Sequence, residues 1–195
     1  MAKLSETRKA LARYFTQPAV RLIARTSITP NAITWFGFLI AVGAAVLIAR
    51  GHLFIAGWLV LVAGFFDILD GALARYTNRT TRFGAVLDST LDRLSEAVVL
   101  FGILVLYAGG QSLAEVLLVC LALLASLLVS YIRARAEALG LECQVGLFTR
   151  AERVIVLALG LLLNQIAIAL AIVVAFSFIT VGQRLVYVWR QTKTG

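Results

Sequence analysis

The chain has 195 residues, 61% of them hydrophobic, and a net charge of +8 from 18 basic and 10 acidic side chains; its mean hydropathy is +0.94. An apolar fraction above the roughly 45–50% of soluble domains points to an integral membrane protein, and the length to one domain. No separate basic domain is present to bind nucleic acid, so no nucleic-acid partner is expected; the single His52 and the separated Cys120 and Cys143 argue against a His-built metal site and a disulfide.

The first predicted element is an amphipathic helix over residues 3–25. Leu4, Leu11, Tyr14, Phe15, Leu22 and Ile23 fall near one face, with Arg8, Lys9, Arg13 and Arg21 elsewhere. A basic helix of this kind lies in the membrane interface. It lacks the early apolar run of a cleaved leader, so none is expected. "TPN" at 29–31 then breaks the chain, because Pro30 disfavours helix in the residue before it. The division expected is a juxtamembrane helix over 1–28 and a membrane domain over 29–195.

Apolar runs follow at about 32–49, 53–75, 84–108, 112–139, 151–166 and 167–189. Each is near the ~20 residues that cross a bilayer, which predicts an all-α protein of six spans. The last two are parted only by "NQ" at 164–165, so five spans with a re-entrant end is the alternative. Arg8, Arg13, Arg21, Arg25, Arg75, Arg79, Arg82, Arg133, Arg135, Arg150, Arg153, Arg184 and Arg190 fall on one side of such a layout, and only Arg50 on the other. Positive charge marks the cytoplasmic side, so a multi-pass cell-membrane protein with both termini in the cytoplasm is expected.

Four aspartates interrupt this pattern: Asp67 and Asp70 end the second run, and Asp88 and Asp92 begin the third. Each costs about 2.5–3.5 kcal/mol at the centre of a spanning helix. Helical spacing places Asp67, Asp70, Gly71, Ala74 and Arg75 on one stripe, and Gly84, Asp88 and Asp92 on another. The turn over Tyr76–Phe83 makes these helices antiparallel neighbours, so four carboxylates face one another across a narrow gap lined by small residues. Such a cluster repels itself unless a cation sits in it. All-oxygen ligation points to Mg²⁺ or Mn²⁺, which complete their shells with phosphate oxygens. Arg75, Arg79, Arg82 and Arg93 stand ready for further phosphate charge.

The same residues satisfy the pattern D-x2-D-G-x2-A-R-x8-G-x3-D-x3-D without a gap, and in this the chain resembles the CDP-alcohol phosphatidyltransferase family. The six-span layout and the "TPN" start extend the resemblance over most of the sequence. It implies transfer of a lipid phosphate from a CDP-linked donor to an alcohol, with loss of CMP, dependence on Mg²⁺ or Mn²⁺, and a homodimer among membrane lipids. It implies that Asp67, Asp70 and Asp88 ligate metal, and that Asp92 lies at the metal and is the catalytic base. It assigns the CDP-lipid to Gly71, Ala74, Arg75 and Thr81, with Asn31, Ala32, Ile33 and Thr34 of the "PNAIT" segment closing over the nucleotide.

The acceptor is read from other segments. "SYIRARAEALGL" at 130–141 and "RAERVIV" at 150–156 resemble the branch that makes phosphatidylinositol phosphate, or its archaeal ether-lipid counterpart, from inositol phosphate. Several guanidinium groups suit a phosphomonoester better than a free polyol. By this resemblance Arg133, Arg153 and Arg184 hold the acceptor's phosphate, and CDP-diacylglycerol or a related CDP-lipid is the donor. Glycerol 3-phosphate is the alternative acceptor. A divalent-cation channel is the alternative from another class, but it calls for acidic residues at several depths rather than at one end.

Overall fold

The computed structural model describes residues 17–110, 112–143 and 145–194. Most of the expected amphipathic helix, including Leu4, Leu11, Tyr14 and Phe15, lies outside the described residues. Residues 17–23 are helical, with Arg21 and Leu22 exposed and Val20 buried against Ile33, Leu69 and Leu73.

Six longer helices follow: α1 (Pro30–Ala49), α2 (Leu53–Tyr76), α3 (Arg82–Gly109), α4 (Leu113–Ala138), α5 (Arg150–Leu162) and α6 (Ile166–Thr194). No strand occurs among the described residues. The starts follow local chemistry: Thr29 caps α1 by accepting from the Ala32 N–H, and Pro30 occupies the first helical position, where its missing N–H costs nothing. The "NQ" break is a Schellman turn. Asn164 takes the left-handed conformation (φ 55°), and the N–H groups of Asn164 and Gln165 donate to the carbonyls of Leu161 and Gly160 at 3.3 and 2.7 Å.

Four helices, α1, α2, α4 and α6, are long and apolar enough to cross a membrane. The other two fall short for different reasons. α3 carries Arg82, Asp88, Asp92, Arg93 and Glu96 in its first half, and the 13 residues of α5 reach only about 20 Å at 1.5 Å per residue. Both carry site charges.

The helices form a closed ring in which α1 packs on α2, α2 on α5, α5 on α6, α6 on α4, α4 on α3, and α3 back on α1. The two aspartate-bearing helices, expected to be packed neighbours, touch only marginally. The reason is α1, which lies against both and leaves a crevice between them at the aspartate end. Small residues make this packing close: Ala41 and Ala44 of α1 and Ala56 of α2 are buried, and Gly37 faces Phe66 and Ala63. The tightest crossing is at Gly102, where a Cβ would sit 2.6 Å from the Ala45 carbonyl oxygen and 2.9 Å from its Cα. Backbone atoms cannot step aside, so Gly102→Ala must part α1 from α3. The expected cost is about 1–3 kcal/mol, read as a lower thermal midpoint of the detergent-solubilised protein; an unchanged midpoint would refute this packing.

Large apolar side chains remain exposed on the outer faces, among them Trp35, Leu39, Phe54, Trp58, Phe101, Leu117 and Leu124. That is the surface expected of helices that meet lipid rather than water.

Candidate active site

The site begins with the turn that joins α2 to α3. Asn78 adopts a left-handed conformation (φ 52°), and the Thr81 hydroxyl caps α3 by accepting from the Gly84 N–H at 2.9 Å. This cap draws the start of α3 against the first turn of α1. A Cβ at Gly84 would lie 2.9 Å from the Thr81 hydroxyl and 3.3 Å from the Asn31 carboxamide oxygen, so only glycine fits without a shift.

Asp67 projects from α2 into the crevice, and Asp88 and Asp92 project from successive turns of α3. One carboxylate oxygen from each lies within 4.8 Å of the others. Asp70 stands apart from that group. It is buried, with one oxygen accepting from the Gly71 N–H at 2.5 Å and Oδ2 buried without a protein partner. The structure therefore gathers three of the four aspartates, with the fourth on the same helix face and one oxygen spare.

The compensating charge is an arginine that the sequence did not mark for the site. The Arg150 guanidinium, at the start of α5, bridges Asp67 and Asp92, with its Nη1 2.7 Å from Asp92 Oδ1. A cation standing among three clustered carboxylates is what the electrostatics demand. The donor set, all oxygen and anionic, fits a hard divalent ion held by Asp67, Asp88 and Asp92, with Asp70 Oδ2 free to join.

Two clefts meet at this centre. The first, ≈ 580 Å³, lies between α1, α2 and the start of α3 and is lined by Asn31, Thr34, Asp70, Gly71, Ala74, Arg75, Arg79, Thr81 and Asp88, among others. Six of the expected nucleotide contacts line it; Ala32 and Ile33 do not. Helical periodicity turns Ile33 into the apolar cluster with Val20, Leu69 and Leu73, while Ala32 faces outward and its N–H serves the Thr29 cap.

The second cleft, ≈ 890 Å³, lies between α3, α4, α5 and α6. Asp88, Asp92, Arg93, Arg133, Arg150, Arg153 and Arg184 line it, so Asp88 belongs to both clefts. All three expected acceptor arginines are here, but they are held differently. Arg133 is half exposed and pairs with Glu137 at 2.8 Å. Arg184 is buried, its Nε donating to the Val145 carbonyl at 3.0 Å and its Nη1 to the Val129 carbonyl. Arg153 is fully buried, and its Nε and Nη2 grip the two oxygens of Glu96 at 2.5 and 2.7 Å. Glu96 Oε1 also accepts from the Ser126 hydroxyl at 2.8 Å. Sequence reasoning missed Arg150, Glu96 and Ser126. Glu96 was within reach of it, since it continues the Asp88–Asp92 spacing by one more turn.

A third, mostly apolar groove of ≈ 880 Å³ runs from Asp67, Asp92 and Arg150 between α2 and α5, past Phe65, Ile68, Val154 and Ile155. Phe65, Ile68 and Ile155 are exposed on the outer face, so this groove connects the carboxylates to the lipid-facing surface.

Residues 27–182 match the family model described as CDP-alcohol phosphatidyltransferase. The chain is 40% identical to an archaetidylinositol phosphate synthase of Methanothermobacter thermautotrophicus, over 97% of this chain and 96% of that one. Among solved structures it is similar to the phosphatidylinositol phosphate synthase of Mycobacterium tuberculosis with CDP-DAG bound, with a TM-score of 0.82 and 36% identity over 89% of this chain and 93% of that one. A second structure of that synthase, in complex with manganese and citrate, gives the same TM-score and identity over 89% of this chain and 88% of that one.

Proposed function

The chain belongs to the CDP-alcohol phosphatidyltransferase family, and on that premise we propose that it transfers a phosphatidyl group from CDP-diacylglycerol, or the equivalent group from an archaeal CDP-diether lipid, to a hydroxyl of inositol phosphate, releasing CMP. The observation that carries this reading is Asp88, shared by a cleft built on the nucleotide motif and a cleft lined with arginines. A donor diphosphate in the first and a phosphorylated alcohol in the second meet at the same carboxylates.

Gly71 and Ala74 leave room for the cytidine diphosphate, Arg75 offers its phosphates a guanidinium, and Asn31, Thr34 and Thr81 offer polar contacts from the opposite wall. The groove between α2 and α5 suits a lipid chain of the donor. Arg133, Arg153 and Arg184 hold the acceptor's phosphomonoester, which turns its hydroxyl toward Asp92. Asp92 takes the hydroxyl proton as the oxygen bonds to the lipid-bearing β-phosphorus, and the bond from that phosphorus to the CMP oxygen breaks. A bound Mg²⁺ or Mn²⁺ supplies neutralisation of the diphosphate and of the leaving group. Support for such an ion comes from the three oxygen donors here and from the manganese in the mycobacterial relative.

The protein on this reading crosses the cell membrane six times, with both termini and the site on the cytoplasmic side. The concentration of arginine at the site end supports that orientation. Residues 29–195 make up the catalytic domain, and the working form is a homodimer.

The test is CMP release from membranes supplied with CDP-diacylglycerol or a CDP-diether lipid, divalent metal, and one acceptor at a time: inositol phosphate, glycerol 3-phosphate, serine or free inositol. Release with inositol phosphate is expected, and removal of the metal by chelation should stop it. Release with glycerol 3-phosphate alone would overturn the acceptor, and release with none would overturn the transferase.

A further inference from the structure

Glu96 stands one turn beyond Asp92 on α3, buried, on a helix whose other acidic groups face the reaction centre. Its two oxygens are engaged by Arg153 from α5, and Oε1 also by Ser126 from α4, so it ties three helices of the ring together. A buried ion pair is a poor source of stability in itself, since apolar side chains of similar volume serve as well or better. What such a pair does supply is orientation: the rigid guanidinium fork, gripped along one edge, has one orientation.

That orientation leaves Arg153 Nη1 buried and without a partner, on a residue that lines the arginine-rich cleft. An unmade hydrogen bond of a buried charged donor is costly, and a phosphate oxygen arriving in the cleft removes the cost. We infer that Glu96, steadied by Ser126, is a positioning residue that clamps Arg153 so that its remaining edge is presented to the phosphomonoester of the acceptor. Because Glu96 also cancels the charge of Arg153, the contact discriminates by direction rather than by bulk positive potential. Arg184 and Arg93, whose hydrogen bonds go to backbone carbonyls rather than to carboxylates, supply the unbalanced charge around it. The inference rests on the reading of Arg153 as an acceptor contact.

The experiment compares Glu96→Gln, Ser126→Ala, Arg153→Lys and the double variant Glu96→Gln/Arg153→Lys in purified, detergent-solubilised enzyme, with steady-state kinetics in both substrates and Mn²⁺ binding. Glu96→Gln keeps the shape and the Ser126 contact but weakens the grip. It should raise the KM for inositol phosphate about tenfold while the KM for the CDP-lipid, kcat and Mn²⁺ affinity change less than about twofold. Ser126→Ala should move the same KM in the same direction by a smaller factor, and decides the matter if Glu96→Gln does not fold. In the double variant the KM should equal that of Arg153→Lys alone, the non-additivity expected of residues that act as one unit. An acceptor KM that is normal in Glu96→Gln, or a loss spread equally over both substrates, overturns the positioning role. If Arg153→Lys itself leaves the acceptor KM unchanged, the assignment of Arg153 falls first; if it raises the KM and Glu96→Gln does not, only the positioning inference falls.

Discussion

Asp92→Asn is expected to abolish turnover, with kcat reduced by about 10²–10⁴-fold, while the protein still binds Mn²⁺ and the CDP-lipid. The substitution preserves size and leaves Asp67, Asp88 and Asp70 in place, so the crevice keeps most of its acidic oxygens. The amide still offers a neutral carbonyl oxygen, but it loses the negative charge that faces Arg150 and cannot accept the hydroxyl proton. Asp92 is suited to that role by its position, since it lines the arginine-rich cleft and also belongs to the carboxylate group. Single-turnover CMP release, measured beside Mn²⁺ binding, checks the expectation. Turnover near the parent rate would refute Asp92 as the base, and loss of Mn²⁺ binding in step with turnover would reassign it to the metal alone.

The second large effect is on stability. Arg153→Ala leaves the Glu96 carboxyl in the ring interior with the Ser126 hydroxyl as its one remaining hydrogen-bond partner among those seen here. Removing one member of a buried pair typically costs about 3–5 kcal/mol, most of it the penalty on the charge left behind. The thermal midpoint in detergent should therefore fall well below that of Arg153→Lys, and the folded yield with it. Replacing both members, as Glu96→Leu/Arg153→Met, should restore the midpoint without restoring affinity for the acceptor. A restored midpoint together with a normal acceptor KM would remove Arg153 from the acceptor's phosphate.

The motif from Asp67 to Asp92 was legible because helical spacing alone puts its residues on two faces, and the helices themselves were legible to within a few residues from their apolar runs. The order of the ring was not. Periodicity says which face of α2 is special, not that α1 lies against it while α3 stands off across a crevice. The same gap hid the ion pairs: Glu96 and Arg153 are 57 residues apart, and Asp67 and Arg150 are 83 apart. In the sequence Arg150 and Arg153 both read as cytoplasmic-side charge. Only the packing of α5 against α2 separates one that bridges the carboxylates from one clamped beneath the cleft. Within "PNAIT", periodicity brings Asn31 and Thr34 to the cleft and turns the side chains of Ala32 and Ile33 away from it.

The crevice between α2 and α3 has a consequence for ion choice. The helices that carry the carboxylates do not set their own separation; α1, which carries none of them, does so as a shim between the two. Its thickness is fixed at Gly37, against Phe66 and Ala63, and at Ala45, against Gly102. A methylene added at Gly37, whose neighbour Phe66 precedes Asp67, is expected to change the bite of the oxygen donors without touching any of them. Since Mg²⁺ binds oxygen at about 2.0–2.1 Å and Ca²⁺ at about 2.3–2.6 Å, a thicker α1 at Gly37 is expected to shift the relative affinity for the two ions, which metal binding to the Gly37→Ala variant would read.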